Sequence, residues 1–217
     1  MMLNNILFII PARKDSVRLK NKNIRKIDGK TLVQHSIDFA LKFKISLLNI
    51  IISTNYEKII KIAKKNRILF IKRKEKLSTK NAKSEDVVLD ALYWYKKKYS
   101  DKFKKIKAVV LLQPTSPFRN HKVFCKACSF FFKKKLDNIF SASLIKGKSK
   151  FIFLKKNRNI KPNGNFYITK VNFFLKKKNF FSGNVYGYII KNKKLLIDID
   201  TLEDYYKAVK FKNINKF

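Results

Sequence analysis

The sequence ILFIIPARKDSVRLKNKN, residues 6–23, joins a short apolar run to a loop rich in basic residues. Ile6–Ile10 has the length and β-branched composition of a buried strand, and the polar loop Pro11–Asn23 follows it directly. The loop lacks the GxxxxGK[ST] pattern of a P-loop and the GxGxxG pattern of a dinucleotide site, so both of those nucleotide-binding classes are disfavoured. Its five basic side chains can neutralise a triphosphate, although a solvated basic loop fits the same composition.

Strand and helix patterns alternate through the first two thirds of the chain. Apolar runs at Leu48–Ile52, Val109–Leu112 and Ile139–Ala142 predict further strands. Between them, apolar residues recur at helical spacing on two faces, formed by Val33, Ile37, Ala40 and Leu41, and by Val87, Val88, Ala91, Leu92 and Tyr95. Continuous apolar strands separated by helices predict an α/β fold with a mostly parallel sheet that is covered on both sides.

The last third of the chain is richer in strand patterns. Apolar stretches predict strands at Phe151–Leu154, Phe166–Ile168 and Val185–Ile190. A final helix is expected from about Leu202, because Thr201 can cap its first turn while the carboxylate of Asp204 reaches back, as in a capping box.

Ligands of open α/β sheets collect beyond the carboxyl ends of the strands, so chemistry is expected in the loops that follow Ile10, Leu112 and Ile197. The loop LQPTSPFR, residues 112–119, contains two prolines that restrict the backbone. They can hold Gln113, Thr115 and Ser116 as a rigid set of neutral donors and acceptors. An ordinary turn before the next helix explains the same segment.

Two aspartates follow in the segment LLIDIDTLED, residues 195–204. Asp198 and Asp200 alternate with isoleucines, so an extended chain points both carboxylates to one side. Two carboxylates close to a basic phosphate loop suit Mg²⁺ held against substrate phosphates. Acids placed at a helix start by its dipole are the structural alternative. The mutual repulsion of two carboxylates on one face favours the cation.

Two further segments carry candidate ligand contacts. In KPNGNFYI, residues 161–168, Gly164 permits close approach of a backbone or ligand, and Asn163 and Tyr167 can form hydrogen bonds. Phe180 and Phe181 fit either the core or the apolar wall of a pocket.

Composition limits the remaining function classes. With 217 residues and 46% hydrophobic content, the chain can bury one substantial core, which predicts a single domain over residues 1–217. No apolar run reaches about eighteen residues, so no membrane span and a cytoplasmic location are expected.

The net charge of +38 is spread over nearly every segment. We interpret it as codon bias of an AT-rich genome, and nucleic acid is not an expected partner. Cys125 and Cys128 predict free thiols on one helix.

Five of these segments occur together in the order and approximate spacing of a known family: IIPARKDSVRLKNKNIRKIDGK, LSTKNAKSEDVVLDAL, LQPTSPFR, KPNGNFYI and IDIDTLEDY. Over nearly its whole length the chain resembles the CMP-N-acylneuraminate cytidylyltransferases, the CMP-sialic acid synthetases, together with their relatives for pseudaminic and legionaminic acids. The resemblance implies a three-layer, Rossmann-like fold of the nucleotide-diphospho-sugar transferase type with a mostly parallel mixed sheet. It also implies Mg²⁺-dependent transfer of CMP from CTP to the anomeric hydroxyl of a nine-carbon acidic sugar, with release of pyrophosphate.

The resemblance assigns roles by motif position. Residues implied to contact CTP are Arg13, Ser16, Arg18, Lys22, Asn23, Arg73 and Ser84. Residues implied to hold the sugar are Gln113, Thr115, Ser116, Lys150, Asn163, Tyr167, Phe180 and Phe181. Asp198 and Asp200 match the magnesium-binding aspartates, and Arg13, Lys22 and Asp200 are implied to stabilise the charge that develops during transfer.

The chain departs from the family pattern at two places. Asp15 and Val17 stand where the first loop of the family usually has glycine and often lysine. The segment between Phe151 and Asn163 is much shorter than the family's subunit-crossing hairpin, so the resemblance leaves a homodimer open and predicts a shortened dimerisation segment around residues 151–162. These departures keep a second hypothesis alongside the enzyme, namely a weakened homologue that binds nucleotide or a partner without turnover.

Overall fold

The computed structural model describes residues 2–145, 153–155 and 158–213. The strands are β1 (Ile6–Pro11), β2 (Lys26–Ile27), β3 (Lys30–Thr31), β4 (Ile50–Thr54), β5 (Leu69–Lys72), β6 (Ala108–Leu111), β7 (Asn138–Leu144), β8 (Phe153–Lys155), β9 (Arg158–Lys170) and β10 (Val185–Ile189). The helices are α1 (Leu32–Leu41), α2 (Glu57–Lys65), α3 (Ser84–Lys98), α4 (Ser100–Lys105), α5 (His121–Lys133), α6 (Val171–Lys177) and α7 (Leu202–Asn213).

The main sheet is mixed and mostly parallel. Its strand order is β10-β7-β9-β6-β1-β4-β5, and β8 pairs with the start of β9. Strand β1 runs parallel to β4 and β6, β4 runs parallel to β5, and β10 runs parallel to β7. Strand β9 is antiparallel to both of its sheet neighbours, β6 and β7. The predicted mostly parallel mixed sheet is therefore confirmed.

The sheet is covered on both faces, because alternate residues of its central strands enter different cores. In β1, Phe8 and Ile10 join a core cluster with α1, α2 and α5, whereas Leu7 and Ile9 join a second cluster with α3 and α6. The predicted helical faces are buried as expected, except that Leu41 is only half-buried. No helix in the described ranges is long and apolar enough to cross a bilayer.

Apart from β9, the boundaries of the predicted strands differ from the prediction by at most two residues. The predicted strand at Leu48–Ile52 begins instead at Ile50, because Leu47–Asn49 forms a turn of 3₁₀ helix. The Asn49 side chain fixes this turn by donating to the Asn4 carbonyl at 2.8 Å. The shift extends β4 to Ser53 and Thr54, both of which are buried. Only Phe153 and Leu154 of the predicted strand Phe151–Leu154 fall within the described residues.

Strand β9 is much longer than the predicted run at Phe166–Ile168 and contains an irregularity. Against β7, its register passes from Phe140↔Tyr167 to Ala142↔Pro162, so residues 163–166 bulge out of the ladder. Bulges of this kind end local pairing and redirect side chains next to functional sites. The bulge contains the predicted Asn163–Gly164 pair.

The final helix begins as predicted. Asp204 accepts hydrogen bonds from the Thr201 backbone N–H at 2.9 Å and from its hydroxyl at 2.8 Å, and the Asp204 N–H donates to Thr201 Oγ1 at 3.2 Å. The same carboxylate accepts from the Asp200 N–H at 3.1 Å. The predicted capping box is confirmed, and it also fixes the backbone of a candidate metal ligand.

One buried hydroxyl offers a test of the second core. Tyr95 donates to Asn49 Oδ1 at 3.2 Å and is fully buried. We expect Tyr95→Phe to lower the free energy of unfolding by about 1–2 kcal/mol, because the buried Asn49 loses a donor. Urea unfolding measures this. The matched control is Tyr93→Phe on the same helix, where the ring is 52% exposed and a change within about 0.5 kcal/mol is expected. Equal effects at both positions would contradict the assignment.

Candidate active site

A polar cavity of about 270 Å³ lies at the carboxyl ends of β1 and β6. Most of the residues that line it were singled out from the sequence: Arg13, Lys22, Asn23, Arg73, Ser84, Gln113, Thr115, Asp198 and Asp200. They come from the loops after β1, β5 and β6, the start of α3, and the segment before α7. The fold therefore brings the loop after β1 and the segment before α7 to one cavity.

Asp200 is the direct link between the late segment and the basic loop. Lys22 Nζ lies 2.9 Å from Asp200 Oδ1, and Arg18 Nη2 lies 2.6 Å from Asp200 Oδ2. The side chain of Lys22 is 13% exposed, whereas that of Arg18 is 65% exposed. Exposed ion pairs contribute only about 0–1 kcal/mol each. The main consequence of this pairing is therefore the position of the loop.

Two other arginines complete the positive wall. Arg13 donates to the backbone carbonyls of Ser78 and Thr79, and Asn23 donates to the Arg13 carbonyl at 2.8 Å. Arg73 donates to the Ser53 hydroxyl at 3.1 Å and to the Ser53 carbonyl at 2.6 Å. Burial lowers the pKa of Arg73 to about 10, and the nearby charge of Arg13 acts in the same direction. At neutral pH Arg73 therefore still carries its positive charge.

Asp198 occupies the floor of the polar cavity. The cavity leaves it accessible to water, but the surrounding protein displaces much of the solvent, and this burial raises the pKa of the carboxyl group. The charge of Asp200 raises that pKa further, while a hydrogen bond from Thr115 opposes the shift. The Ser116 hydroxyl lies 3.5 Å from Asp198 Oδ1. The arrangement favours a positive charge close to Asp198.

The bulge in β9 fits tightly under this floor. Ser116 donates to the Asn163 carbonyl at 3.3 Å. Gly164 has a positive φ of 76°, and an added Cβ would lie 2.7 Å from Ser116 Oγ and 3.0 Å from Gln113 Oε1. Only glycine satisfies both the backbone angle and the space. The sequence predicted that a backbone or a ligand approaches Gly164 closely. In the structure, the groups that approach it closely are the side chains of Ser116 and Gln113.

A second, more apolar cavity of about 320 Å³ adjoins the polar one. Its walls include Leu111, Pro162, Tyr167, Phe180 and Phe181. Ser84 and Gln113 line both cavities, and their side chains lie 3.5 Å apart. The two cavities therefore form one cleft with a polar half and an apolar half. Phe180 is also buried in the second core, so both interpretations of this aromatic pair from the sequence hold.

Some of the candidate residues do not line the cleft. Ser16 and Arg18 are not among the lining residues, although Arg18 reaches Asp200. Ser116 and Asn163 are buried and support the floor from behind. Lys150 lies outside the described residues. Asp15 and Val17, which depart from the family pattern, are exposed, and neither lines the cleft.

Sequence reasoning missed three residues of this region. Arg119 donates to the carbonyls of Gln113 and Asn165 at 2.5 and 2.7 Å, and to the Ser36 hydroxyl at 3.0 Å. Burial lowers the pKa of Arg119 to about 9, so the guanidinium stays charged at neutral pH while it joins the loop after β6 to the bulge. Glu85 and Lys161 line the apolar half of the cleft. Glu85 directly follows Ser84 and Lys161 directly precedes Pro162, so both lie inside segments that the sequence analysis quotes. This proximity to candidate residues was the signal that could have identified them.

Comparisons with known proteins place this arrangement in a family. Residues 7–216 match the family described as cytidylyltransferase, and the chain therefore belongs to the cytidylyltransferase family. The chain is 29% identical over 222 residues to an N-acylneuraminate cytidylyltransferase of Streptococcus agalactiae, a match that covers 93% of this chain and 52% of the relative. The chain thus spans about half the length of that relative.

Two further likenesses cover nearly the whole of both chains. The chain is 29% identical over 232 residues to a CMP-N,N'-diacetyllegionaminic acid synthase of Legionella pneumophila, with 97% of each chain covered. The solved structure of a CMP:2-keto-3-deoxy-manno-octonic acid synthetase complexed with CTP has a TM-score of 0.70 at 13% identity, covering 96% of this chain and 98% of the other. This structural likeness confirms the predicted nucleotide-diphospho-sugar transferase type of fold.

The tight fit at Gly164 gives a measurable prediction. Gly29, in the β2–β3 turn, has a similar φ of 74° but no atom within 4 Å of an added Cβ. We expect Gly29→Ala to cost about 1–2 kcal/mol of stability from the backbone angle alone. Gly164→Ala should cost about 1 kcal/mol or more beyond that, because the new methyl group also displaces Ser116 or Gln113. Denaturant unfolding of the two variants compares these costs. Equal losses would show that the space beside Gly164 is not tight.

Proposed function

We propose that this chain transfers CMP from CTP to the anomeric hydroxyl of a nine-carbon, sialic-acid-like sugar and releases pyrophosphate. One observation carries the proposal: a cavity walled by basic side chains and two aspartates opens, at Ser84 and Gln113, into a more apolar cavity. The first half suits a triphosphate and the second suits a substituted sugar. The names of the streptococcal and Legionella relatives support the same pair of substrates.

In the nucleotide half, Arg13, Lys22 and Arg73 would neutralise the phosphates of CTP, with Ser84 completing the cytidine site. Arg18 would join them from the rim once a phosphate competes with Asp200 for its guanidinium. Ser16 would contribute its hydroxyl, although it does not line the polar cavity. Asn23 would act mainly by holding the Arg13 carbonyl, and therefore the loop, in place. Such preorganised charges stabilise a transition state without reorganising during the reaction.

The residues at the cavity floor fit a magnesium ion. Asp198 and Asp200 offer two carboxylates, and Mg²⁺ is usually held by one or two carboxylates together with substrate phosphates. In the described part of the chain, no group of three or more His, Cys, Asp and Glu side chains comes together as a metal site, so phosphate oxygens would have to complete the coordination. When bound, the ion would supply Lewis-acid stabilisation of charge on the phosphates.

In the sugar half, Gln113 would bind polar groups of the acid sugar near the transfer point, and Thr115 would reach the sugar from the adjoining polar half. Tyr167, Phe180 and Phe181 would contact its less polar substituents. Burial raises the pKa of Tyr167 well above its ordinary value, so its hydroxyl stays neutral and can donate a hydrogen bond. Ser116 and Asn163 would act behind these residues by fixing the floor. Lys150 remains our candidate for a further substrate contact.

The reaction needs no protein nucleophile. The anomeric oxygen of the sugar forms a bond to the α-phosphorus of CTP in line with the bond to pyrophosphate, which breaks. The hydroxyl proton leaves to solvent, and the bond electrons depart with pyrophosphate. Arg13 and Lys22 would stabilise the negative charge that grows on the phosphates, and a single such contact is typically worth about 3–4 kcal/mol in the transition state.

We propose the cytoplasm as the site of action, in keeping with the unpaired thiols of Cys125 and Cys128.

A pyrophosphate-release assay tests this function. The chain is mixed with CTP, MgCl₂ and, in turn, N-acetylneuraminic, N,N'-diacetyllegionaminic and pseudaminic acids. Release with at least one sugar is expected, and EDTA should abolish it. Asp200→Ala should lower kcat/KM by about 100-fold or more, because it removes a metal ligand and the partner of Lys22.

The matched control for that variant is Asp101→Ala, since Asp101 pairs with Lys104 on the exposed surface and does not line the cleft. It should retain wild-type rates. Silence of the wild-type chain with every sugar, while CTP still binds, would reject turnover and support the weakened homologue. Release that is unaffected by Asp200→Ala would reject the site.

A further inference from the structure

A further cavity, of about 660 Å³, lies at the end of β6 that is remote from the cleft. We call it the basal cavity. Ile106 and Lys107, which directly precede β6, line it, whereas Leu111 at the other end of β6 lines the cleft. Lys170, the last residue of β9, lines it as well. The basal cavity and the cleft share no lining residue, so the basal cavity is separate from the proposed active site.

The floor of the basal cavity is apolar. Phe131 and Val171 are buried in it, and Phe103 and Phe132 are half-buried, so part of each of these two rings faces the cavity. Covering aromatic surface of this kind with an apolar group removes it from water and is favourable. The volume falls in the usual range of small-molecule sites, about 300–1,000 Å³. The floor therefore suits the apolar body of a small ligand.

The rim of the basal cavity is positively charged. It carries the five lysines Lys96, Lys104, Lys107, Lys135 and Lys170, and no Asp or Glu stands among the described residues that line it. Lys104 pairs with Asp101 and Lys170 pairs with Asp137, but no carboxylate of the described residues lies within 4.0 Å of the other three ammonium groups. Like charges around one cavity repel each other, and an anion between them relieves that repulsion.

Helix ends explain only part of this rim. Lys96 lies in the last turn of α3, where the helix dipole favours a cation. Its neighbour Lys97 satisfies the same preference but does not line the cavity. Lys107 precedes β6, and Lys170 stands at the start of α6, so neither occupies the end of a helix that attracts cations. These two lysines are therefore not explained by helix stability.

Lys170 is held in place beside the cavity. Its ammonium group donates to the Lys135 carbonyl at 2.8 Å and to Asp137 Oδ1 at 3.0 Å. The other carboxylate oxygen of Asp137 accepts from the Asn184 N–H at 3.0 Å, which fixes the carboxylate in turn. An ammonium group has three donors, so one N–H of Lys170 remains for a ligand. A donor that is already positioned loses little conformational freedom when a ligand binds.

We propose that the basal cavity binds a phosphate monoester with an apolar, aromatic-sized body. The body covers the rings of Phe103 and Phe132, and the phosphate accepts hydrogen bonds from Lys107, Lys135 and Lys170. Phosphate is the matching anion because several ammonium groups surround the cavity, each acting as a point charge, and a phosphate monoester is a dianion with three acceptor oxygens. Among the described lining residues there is no arginine, the side chain that binds planar carboxylates through two parallel bonds.

Three probes separate the two parts of the proposed site. 1-Naphthyl phosphate has both the apolar body and the dianion, 1-naphthol lacks the phosphate, and methyl phosphate lacks the aromatic body. We expect 1-naphthyl phosphate to bind at least about 10-fold more tightly than either of the others, because only it uses both floor and rim. Calorimetry in the presence of saturating CTP and MgCl₂ measures the dissociation constants. Higher salt should weaken the binding, since the rim is exposed to solvent.

Two triple variants with the same loss of charge locate the site. The first combines Lys96→Gln, Lys107→Gln and Lys135→Gln. The matched control combines Lys97→Gln, Lys105→Gln and Lys134→Gln, at exposed neighbours that do not line the cavity. The first should weaken binding of 1-naphthyl phosphate by about 10-fold or more, because three ammonium groups leave the rim. The control should change it by no more than about twofold, because its lysines are farther from the phosphate and are screened by salt.

A measurement on the wild-type chain complements the variants and does not depend on their folding. Acetylation of lysines, followed by mass spectrometry, should show that 1-naphthyl phosphate slows the modification of Lys107 and Lys135 but not that of Lys105 and Lys134.

Equal weakening in both triple variants, together with equal acetylation at all four lysines, would show that the probe responds to diffuse charge and would overturn the proposal. So would a wild-type chain that does not bind 1-naphthyl phosphate, or one that binds 1-naphthol equally well. None of the six substituted lysines lines the cleft, so these results are independent of the pyrophosphate-release assay.

Discussion

The pairing of Asp200 with Lys22 and Arg18 is the contact on which the site depends. It joins residues 178 and 182 positions apart and closes the polar cavity between the first loop and the last helix. Its energy is small, since the carboxylate and Arg18 are partly exposed. Its geometric effect is large, because the Asp204 cap fixes the Asp200 backbone, and the Asp200 carboxylate in turn holds the basic loop.

Strand β9 imposes the second constraint. It runs antiparallel between β6 and β7, and its bulge carries residues 163–166 away from the ladder and under the loop after β6. Ser116 and Arg119 hold that bulge by hydrogen bonds to the carbonyls of Asn163 and Asn165. The buried guanidinium of Arg119 bonds two backbone carbonyls and a hydroxyl. Because its donors form a planar fork, a lysine at this position could not make the same set of bonds. These hydrogen bonds join the floor of the cleft to the loop after β6.

The wide distribution of lysine has a different meaning inside and outside the cleft. Most lysines occupy exposed surface, where charge affects solubility and association more than fold. Lys22 is largely enclosed and has a carboxylate partner, whereas Lys161 lines the apolar half of the cleft and has no carboxylate partner among the described residues. Position, not residue type, separates these side chains from the background. A composition this basic therefore says little about function until the cavities are known.

Much of the architecture followed from the sequence alone, because strand and helix periods report which faces are buried. Residues close together in the sequence determine several features: the strands β1, β4, β6 and β7, the buried faces of α1 and α3, and the Thr201–Asp204 cap. The motifs also indicated most residues of the polar cavity. Only the tertiary structure showed that Ser116 and Asn163 lie behind the floor, that Arg119 ties loop to bulge, and that Glu85 and Lys161 share a wall. Those facts depend on the register of β9 against β7 and on contacts between residues far apart in the chain, which local periodicity does not encode.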